Sequence, residues 1–296
     1  MKKCVFKGSG VALITPFIDG HVDWESFEKL IEFHIANKTD ALIICGTTGE
    51  SATMPDEEHV ATIKFAVEKV NGRVPVIGGA GSNDTAHGVK LAKAVADAGV
   101  DALLLVTPYY NKCTQKGLIA HYKMMAEAVS VPCILYNVPG RTGVNIAPKT
   151  VYELSKIDNI VAVKEASGKV EAAIEIAKLC GDDFGIYSGN DDINVPLMSI
   201  GAIGSISVLA NVVPEDTHNM CKACLDGDYK KASELQKKYF DLINLLFCEV
   251  NPIPVKAAMN LLGMCGKEIR MPLSFMEDNN LELLKNEMKA LNILKD

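Results

Sequence analysis

Eight short runs rich in aliphatic and β-branched residues recur along the first two thirds of this chain, and they constrain its fold more than any single motif does. They are Val11 to Thr15, Ala41 to Cys45, Val74 to Gly78, Ala102 to Thr107, Cys133 to Asn137, Ile160 to Lys164, Phe184 to Ser188 and Ile203 to Val208. Their starts lie about 20 to 30 residues apart, the length of one βα unit. Between them run amphipathic stretches with helical spacing. Trp24, Phe27, Leu30, Ile31 and His34 share one face of the first. Ile63, Val67 and Val70 do so in the second, after the start signal Pro55-Asp56-Glu57-Glu58, and Leu91, Val95 and Ala98 mark the third. Strands alternating with helices in regular order call for parallel pairing through right-handed crossovers. Eight such units closing on themselves predict an α/β chain folded as a (β/α)8 barrel; an open doubly wound sheet is the rival. From Pro214 onward the patterns are helical only, over Glu215 to Leu225, Tyr229 to Cys248, Pro254 to Leu262 and Leu281 to Leu294. The expected division is a barrel over 1–213 and an appended C-terminal helical region over 214–296, packed on it without a low-complexity linker.

Composition narrows the partners. Thirty basic against thirty-seven acidic residues give a formal charge of -7 with no basic block, which argues against nucleic acid. Met1-Lys2-Lys3 opens like a signal peptide, but Lys7, Gly8, Ser9 and Gly10 break the apolar stretch that must follow. No stretch approaches the roughly 18 apolar residues of a membrane span, so a cytoplasmic protein is expected. The nine cysteines are scattered and odd in number, and read as reduced thiols. The one CxxC, Cys221 to Cys224, lies in a helical pattern with no second pair at zinc spacing, and no histidines are spaced as HxxxH; no metal site is expected.

In a barrel, chemistry comes from the carboxyl ends of strands and the loops that follow. Lys164 ends the apolar run Ile160-Val161-Ala162-Val163. Burial among aliphatic side chains disfavours an ammonium and favours a neutral amine, able to attack a carbonyl and form a Schiff base. The alternative is a lysine whose stem covers the strand while its head reaches water. Gly46-Thr47-Thr48-Gly49-Glu50-Ser51 follows the second strand as a glycine-bracketed turn. Its N–H groups and hydroxyls suit a small anion such as a carboxylate, or the turn is merely a turn. Tyr109 and Tyr110 follow the fourth strand. The fifth ends at Tyr136, a candidate proton donor beside an imine, and leads to Arg141, a planar fork for a substrate carboxylate. Each alone has a structural explanation; together in one barrel mouth they point to a site. Asp191-Asp192 after the seventh strand reads as the cap of the next helix.

These segments are familiar in combination. GTTGES, VTPYYNK (Val106 to Lys112), LYNVPGRTG (Leu135 to Gly143), VKEASG (Val163 to Gly168) and NPIPVK (Asn251 to Lys256) resemble, in order and over the full chain, the dihydrodipicolinate synthase family of pyruvate-dependent class I aldolases. The resemblance implies condensation of pyruvate with L-aspartate 4-semialdehyde in lysine and diaminopimelate biosynthesis. It makes Lys164 the Schiff-base residue, with no metal or organic cofactor. It has Thr47 and Thr48 holding the pyruvate carboxylate, and Thr48, Tyr136 and Tyr110 forming a proton relay. Arg141 would bind the semialdehyde carboxylate, and Gly189 and Ile206 would offer backbone contacts near pyruvate. It also implies that Tyr110 reaches into a neighbouring subunit, in a tight dimer paired into a homotetramer.

Members inhibited by lysine resemble this chain at Ser51, Ala52, His59, Asn83 and Tyr109, around a pocket at the dimer interface. Two positions depart: Asp56 stands where they have histidine, and His87 where they have glutamate. Weak or absent inhibition by L-lysine is therefore expected. Sister aldolases that cleave N-acetylneuraminate or 2-keto-3-deoxy sugar acids share the lysine, the tyrosine and the turn. Arg141 separates them, since a polyol chain asks for neutral hydrogen-bonding groups there. A non-catalytic barrel that binds a keto acid would keep the carboxylate pocket and need no nucleophile.

Overall fold

The computed structural model describes residue 2 and residues 4–295; Met1 and Lys3, from the opening Met1-Lys2-Lys3, and Asp296 lie outside them. Eight parallel strands follow the predicted runs: β1 (Gly8–Ala12), β2 (Ala41–Ile44), β3 (Val76–Gly79), β4 (Ala102–Val106), β5 (Cys133–Asn137), β6 (Ile160–Glu165), β7 (Gly185–Ser188) and β8 (Gly204–Ser207). Each pairs with the next, and β8 returns to β1 through Gly8↔Gly204 and Ser9↔Ser205, so the sheet is a closed barrel and not an open one. β1 begins three residues before the run at Val11. Gly8-Ser9-Gly10 reads as a break, yet the barrel wall is built from it. A Cβ on Gly204 would lie 2.1 Å from the Gly8 carbonyl oxygen, and one on Gly10 would lie 2.7 Å from Phe6 Cζ. Where backbones approach this closely, glycine is the strand residue that fits.

Side chains alternate between two layers, as strand geometry requires. Ala12, Ile43, Ile77, Leu104, Ile134, Tyr187 and Ile206 fill the barrel, and Phe6 joins them at the N-terminal end, stacked on Tyr187 with ring centroids 4.4 Å apart. Val11, Leu42, Ile44, Leu103, Leu135, Val163 and Ile186 face outward into the larger core shared with the helices.

The ring of helices is α1 (Trp24–Ala36), α2 (Asp56–Val70), α3 (Thr85–Asp97), α4 (Gln115–Glu127), α5 (Pro148–Ser155), α6 (Val170–Cys180), α7 (Asn194–Ser199) and α8 (Pro214–Leu225). Asp23, Asp84 and Thr114 begin three of them by accepting a first-turn N–H on the side chain. On α1 the buried face is Phe27, Leu30, Ile31 and His34; Trp24 stays exposed and packs against Phe65. α8 packs on β1. Four more helices follow: α9 (Tyr229–Lys238), α10 (Phe240–Leu245), α11 (Ile253–Leu261) and α12 (Asp278–Ala290). The single helix expected over 229–248 is broken at Tyr239, whose hydroxyl donates to the Asp216 carboxylate on α8. All nine cysteines are free, and Cys221 and Cys224 are buried on α8. No helix among the described residues is long and apolar enough to cross a membrane.

One irregularity positions the site. Cys133 pairs with Ile160, but Ile134 pairs with Ala162, so Val161 is an extra residue in β6. Beyond this bulge the register brings Tyr136 opposite Lys164 and Asn137 opposite Glu165. Without it, Lys164 would pair with Asn137. Bulges re-aim side chains in this way near functional sites.

Candidate active site

Lys164 lies inside the barrel mouth with 6% of its surface exposed, and its Nζ is 4.4 Å from the centre of the Tyr136 ring. The strand ends that carry the pair are pinned from outside. Asn137 donates from Nδ2 to Glu165 Oε2 at 2.9 Å, and Glu165 Oε1 accepts the Ser167 N–H at 2.7 Å. At the end of the neighbouring strand β7, Gly189 donates its N–H to the Glu165 carbonyl at 2.8 Å. A Cβ on Gly189 would stand 3.0 Å from Lys164 Cε and 2.6 Å from Ala166 Cβ, so the missing side chain is what leaves room for the lysine. Ile206, on β8, closes the barrel interior nearby, fully buried.

The turn after β2 holds Thr47 and Thr48. Thr15 Oγ1 donates to the Gly49 carbonyl at 2.8 Å, and a Cβ on Gly79 would lie 2.1 Å from the Cys45 carbonyl oxygen, so the turn sits tightly on its neighbours. Thr48 is buried, and its Oγ1 accepts a hydrogen bond from Asn251 Nδ2 at 3.0 Å. Arg141, in the one-turn helix Pro139–Thr142, donates from Nη2 to the Asn251 carbonyl at 2.9 Å. Thr47 and Arg141 line one cavity of about 350 Å³, large enough for a small organic acid. Tyr136 and Thr47 line a smaller one beside it.

That larger cavity also gathers Ser51, Ala52, Asp56, His59, His87 and Tyr109. Asn83 is not part of the lining but donates from Nδ2 to the Tyr109 carbonyl at 3.2 Å. His59 donates from Nε2 to the Gly79 carbonyl at 2.7 Å, and burial pushes its imidazole down from the ordinary value. His87 Nε2 faces both Asp56 carboxylate oxygens at 3.0 and 3.1 Å, and its Nδ1 meets Ser82 Oγ at 2.9 Å. Tyr110 stands apart from the rest: its side chain is 90% exposed, on a residue with φ of 73°.

Three residues not expected at the site hold it in shape. Asn251 ties Thr48 by its side chain and Arg141 by its carbonyl. Glu50, left-handed at φ 57°, sends its buried carboxylate to Lys256 Nζ at 2.6 Å and to the Arg270 N–H at 2.9 Å. Burial pushes the Lys256 ammonium down, against the raising effect of Glu50. Glu50 and Asn251 both lie inside the segments GTTGES and NPIPVK, which was the available signal; the pairing itself spans 206 positions. Asp191 does not cap its own helix. Its Oδ2 accepts the N–H groups of Val208 and Leu209, both at 2.8 Å, tying the β7 loop to the end of β8. No group of three or more His, Cys, Asp or Glu among the described residues is arranged to hold a metal.

A family model described as the dihydrodipicolinate synthetase family matches residues 5–291. The chain belongs to that family. Among its relatives, the 4-hydroxy-tetrahydrodipicolinate synthase of Acetivibrio thermocellus is 53% identical over 99% of this chain and all of that protein. The crystal structure of dihydrodipicolinate synthase from Aquifex aeolicus superposes with a TM-score of 0.97 at 46% identity, covering 98% of this chain and 100% of that one. A dihydrodipicolinate synthase variant described as monomeric gives 0.96 at 41% identity, covering 98% of each chain. Dihydrodipicolinate synthetase family members are therefore similar to this chain in the arrangement of the whole barrel, C-terminal helices included.

Proposed function

We propose that Lys164 forms the Schiff base in a condensation of pyruvate with L-aspartate 4-semialdehyde. The reaction is that of a class I aldolase-type lyase in lysine and diaminopimelate biosynthesis, and its product is 4-hydroxy-tetrahydrodipicolinate. The Lys164 amine attacks the keto carbon of pyruvate, and loss of water leaves an iminium. The iminium withdraws electrons, a methyl proton leaves, and the resulting enamine carbon attacks the aldehyde to form the new carbon–carbon bond. The aldehyde oxygen takes up a proton and becomes the hydroxyl; attack of the semialdehyde amine on the iminium carbon then releases Lys164 and closes the ring. The chemistry needs no metal or organic cofactor.

The observation that carries this reading is the Lys164 amine, buried over the Tyr136 ring and given room by Gly189. Tyr136 and Thr48 serve as proton donors and acceptors, joined by Tyr110. Thr47 and Thr48 receive the pyruvate carboxylate, Gly189 and Ile206 line its other side, and Arg141 receives the carboxylate of the second substrate. The exposure of Tyr110 supports its insertion into a neighbouring copy, and with it a homotetramer built from tight dimers. The division of the chain at 213/214 belongs to the same proposal, with α8 at the joint, as does a cytoplasmic location. The cavity lined by Ser51, Ala52, Asp56, His59, His87 and Tyr109, with Asn83 beside it, is the counterpart of an effector pocket, altered by the Asp56–His87 pair.

A coupled assay with both substrates, run on wild type, Lys164→Ala and Arg141→Ala, tests the assignment. Turnover should vanish in Lys164→Ala and collapse in Arg141→Ala, and borohydride should fix pyruvate to wild type but not to Lys164→Ala. An inactive wild type that still traps pyruvate would redirect the reading to a sugar-acid aldolase, and one that binds pyruvate without trapping would leave a binding barrel.

A further inference from the structure

We propose that Asp191 is a positioning residue whose carboxylate sets the spacing between Gly189 and Ile206, and with it the fit of pyruvate. The proposal rests on the reading given above, in which those two residues line one side of the bound keto acid. The ladder between β7 and β8 stops at the pair Ser188 and Ser205, one residue short of Gly189 and of Ile206. Beyond that pair each strand is held to its other neighbour. Gly189 donates its N–H to the Glu165 carbonyl on β6, and Ile206 pairs with Gly10 on β1. The ladder thus leaves Gly189 and Ile206 tied away from each other.

Asp191 rejoins the two segments further along. Its Oδ2 accepts the N–H groups of Val208 and Leu209, both at 2.8 Å, and among the described residues these are the hydrogen bonds that join 189–194 to 206–211. The clamp is itself held in place. Oδ1 accepts from Asn194 Nδ2 at 3.1 Å, the Asp191 carbonyl accepts from Gln236 Nε2 on α9 at 2.8 Å, and the residue is 3% exposed. All the hydrogen-bond partners of the carboxylate are amide N–H groups, with no cation among them. Burying such an anion is a poor route to stability, since amide donors only offset the water it loses. What it provides is reach: one oxygen takes two adjacent N–H groups of the far segment while the other is fixed on its own loop.

This arrangement predicts a selective loss. Without the carboxylate, Gly189 and Ile206 keep their outer ties but not their spacing, so the first substrate is misplaced while the second meets an unaltered Arg141. In the coupled assay, kcat/KM for pyruvate should fall about tenfold in Asp191→Ala, with kcat/KM for the semialdehyde within about twofold of wild type. Borohydride trapping should need about tenfold more pyruvate. Asp191→Glu keeps the charge but lengthens the span by one methylene, and should show the same selective loss. Asp191→Asn keeps the span: its amide oxygen can take the two N–H groups, and its NH₂ can meet Asn194 Oδ1, which is buried without a partner, once that carboxamide turns over. Pyruvate kinetics in Asp191→Asn should stay within about threefold of wild type.

Equal losses for both substrates, or a lower kcat at unchanged pyruvate KM, would mark a merely structural residue and overturn the proposal. So would wild-type pyruvate kinetics in Asp191→Glu, or an Asp191→Asn variant as impaired as Asp191→Ala. Should Asp191→Ala fail to fold, Asp191→Glu set against Asp191→Asn carries the same comparison. A wild type that neither makes product nor traps pyruvate would remove the functional reading, and the proposal with it, whereas the other results strike the clamp alone.

Discussion

Tyr136 and Lys164 face each other across β5 and β6 because β6 carries one residue more than its neighbour, at Val161. The amine therefore lies over the Tyr136 ring.

Removing the Tyr136 hydroxyl alone should separate proton transfer from imine geometry. Tyr136→Phe keeps the ring beneath the amine, and kcat should fall by about 10²- to 10⁴-fold, the usual weight of a positioned acid–base group. Steady-state kinetics beside a thermal melt will show whether the loss is catalytic, since the melting temperature should change little.

The clearance at Gly189 is equally specific. Gly189→Ala places a methyl group 3.0 Å from Lys164 Cε and 2.6 Å from Ala166 Cβ, closer than carbon atoms pack. The lysine must shift, and the rate of borohydride trapping with pyruvate should drop at least tenfold, as misplacement of a reacting group does. An unchanged rate would mean that the lysine stem has slack.

L-Lysine should inhibit weakly or not at all. His87 replaces the expected glutamate, and Asp56, the carboxylate that stands in the same cavity, is already engaged by both oxygens with His87. Inhibition at sub-millimolar L-lysine in the coupled assay would refute this. The swap Asp56→His with His87→Glu should restore sensitivity.

The Glu50–Lys256 pair should reveal itself through stability. Lys256→Met leaves a carboxylate buried without its countercharge, and about 3–5 kcal/mol should be lost in denaturant unfolding. The double variant Glu50→Gln with Lys256→Met should recover much of that loss, because neither partner is then charged.

Acid should unfold the protein partly through His34. Full burial pushes its imidazole down to about 3, with Thr39 Oγ1 3.0 Å from Nδ1 and no partner at Nε2. The unfolded chain takes up that proton near pH 6.5 and the folded one only near 3, so the unfolded state binds more protons in between. Stability is full above pH 6.5 and falls as pH drops toward 3, by a few kcal/mol from this residue. Buried His59 and His121, also pushed down by burial, act in the same direction. In His34→Gln the slope of stability against pH over this window should flatten.

The barrel was legible because each strand is a compact apolar run and each helix has its own period; both are local signals. The places of Lys164 and Tyr136 were legible for a related reason, since each lies near the end of such a run, and Thr47, Thr48 and Arg141 lie in the turns that follow two of the runs. The bulge at Val161 was not, because an extra valine inside Ile160-Val161-Ala162-Val163 changes neither composition nor flanking turns. Gly8 and Gly10 misled for the opposite reason: glycine ordinarily interrupts a strand, and only the packing of β8 and Phe6 explains it there. Asn251 and Lys256 carry no periodic signal of their own, and the segment NPIPVK that holds them does not say what they touch. What they do is defined by Thr48 and Glu50, two hundred positions earlier, and only the folded chain puts them in contact.

That long connection has a consequence for how the molecule comes into being. A chain emerging from the ribosome has its eighth strand in hand once Ser207 is made, but Lys256 is still almost fifty residues away. Until then the turn after β2 carries an acidic side chain, Glu50, without the Lys256 ammonium, and Thr48 has no amide to lean on. The barrel can thus be complete in outline before it is competent, and catalysis waits for the last fifth of synthesis.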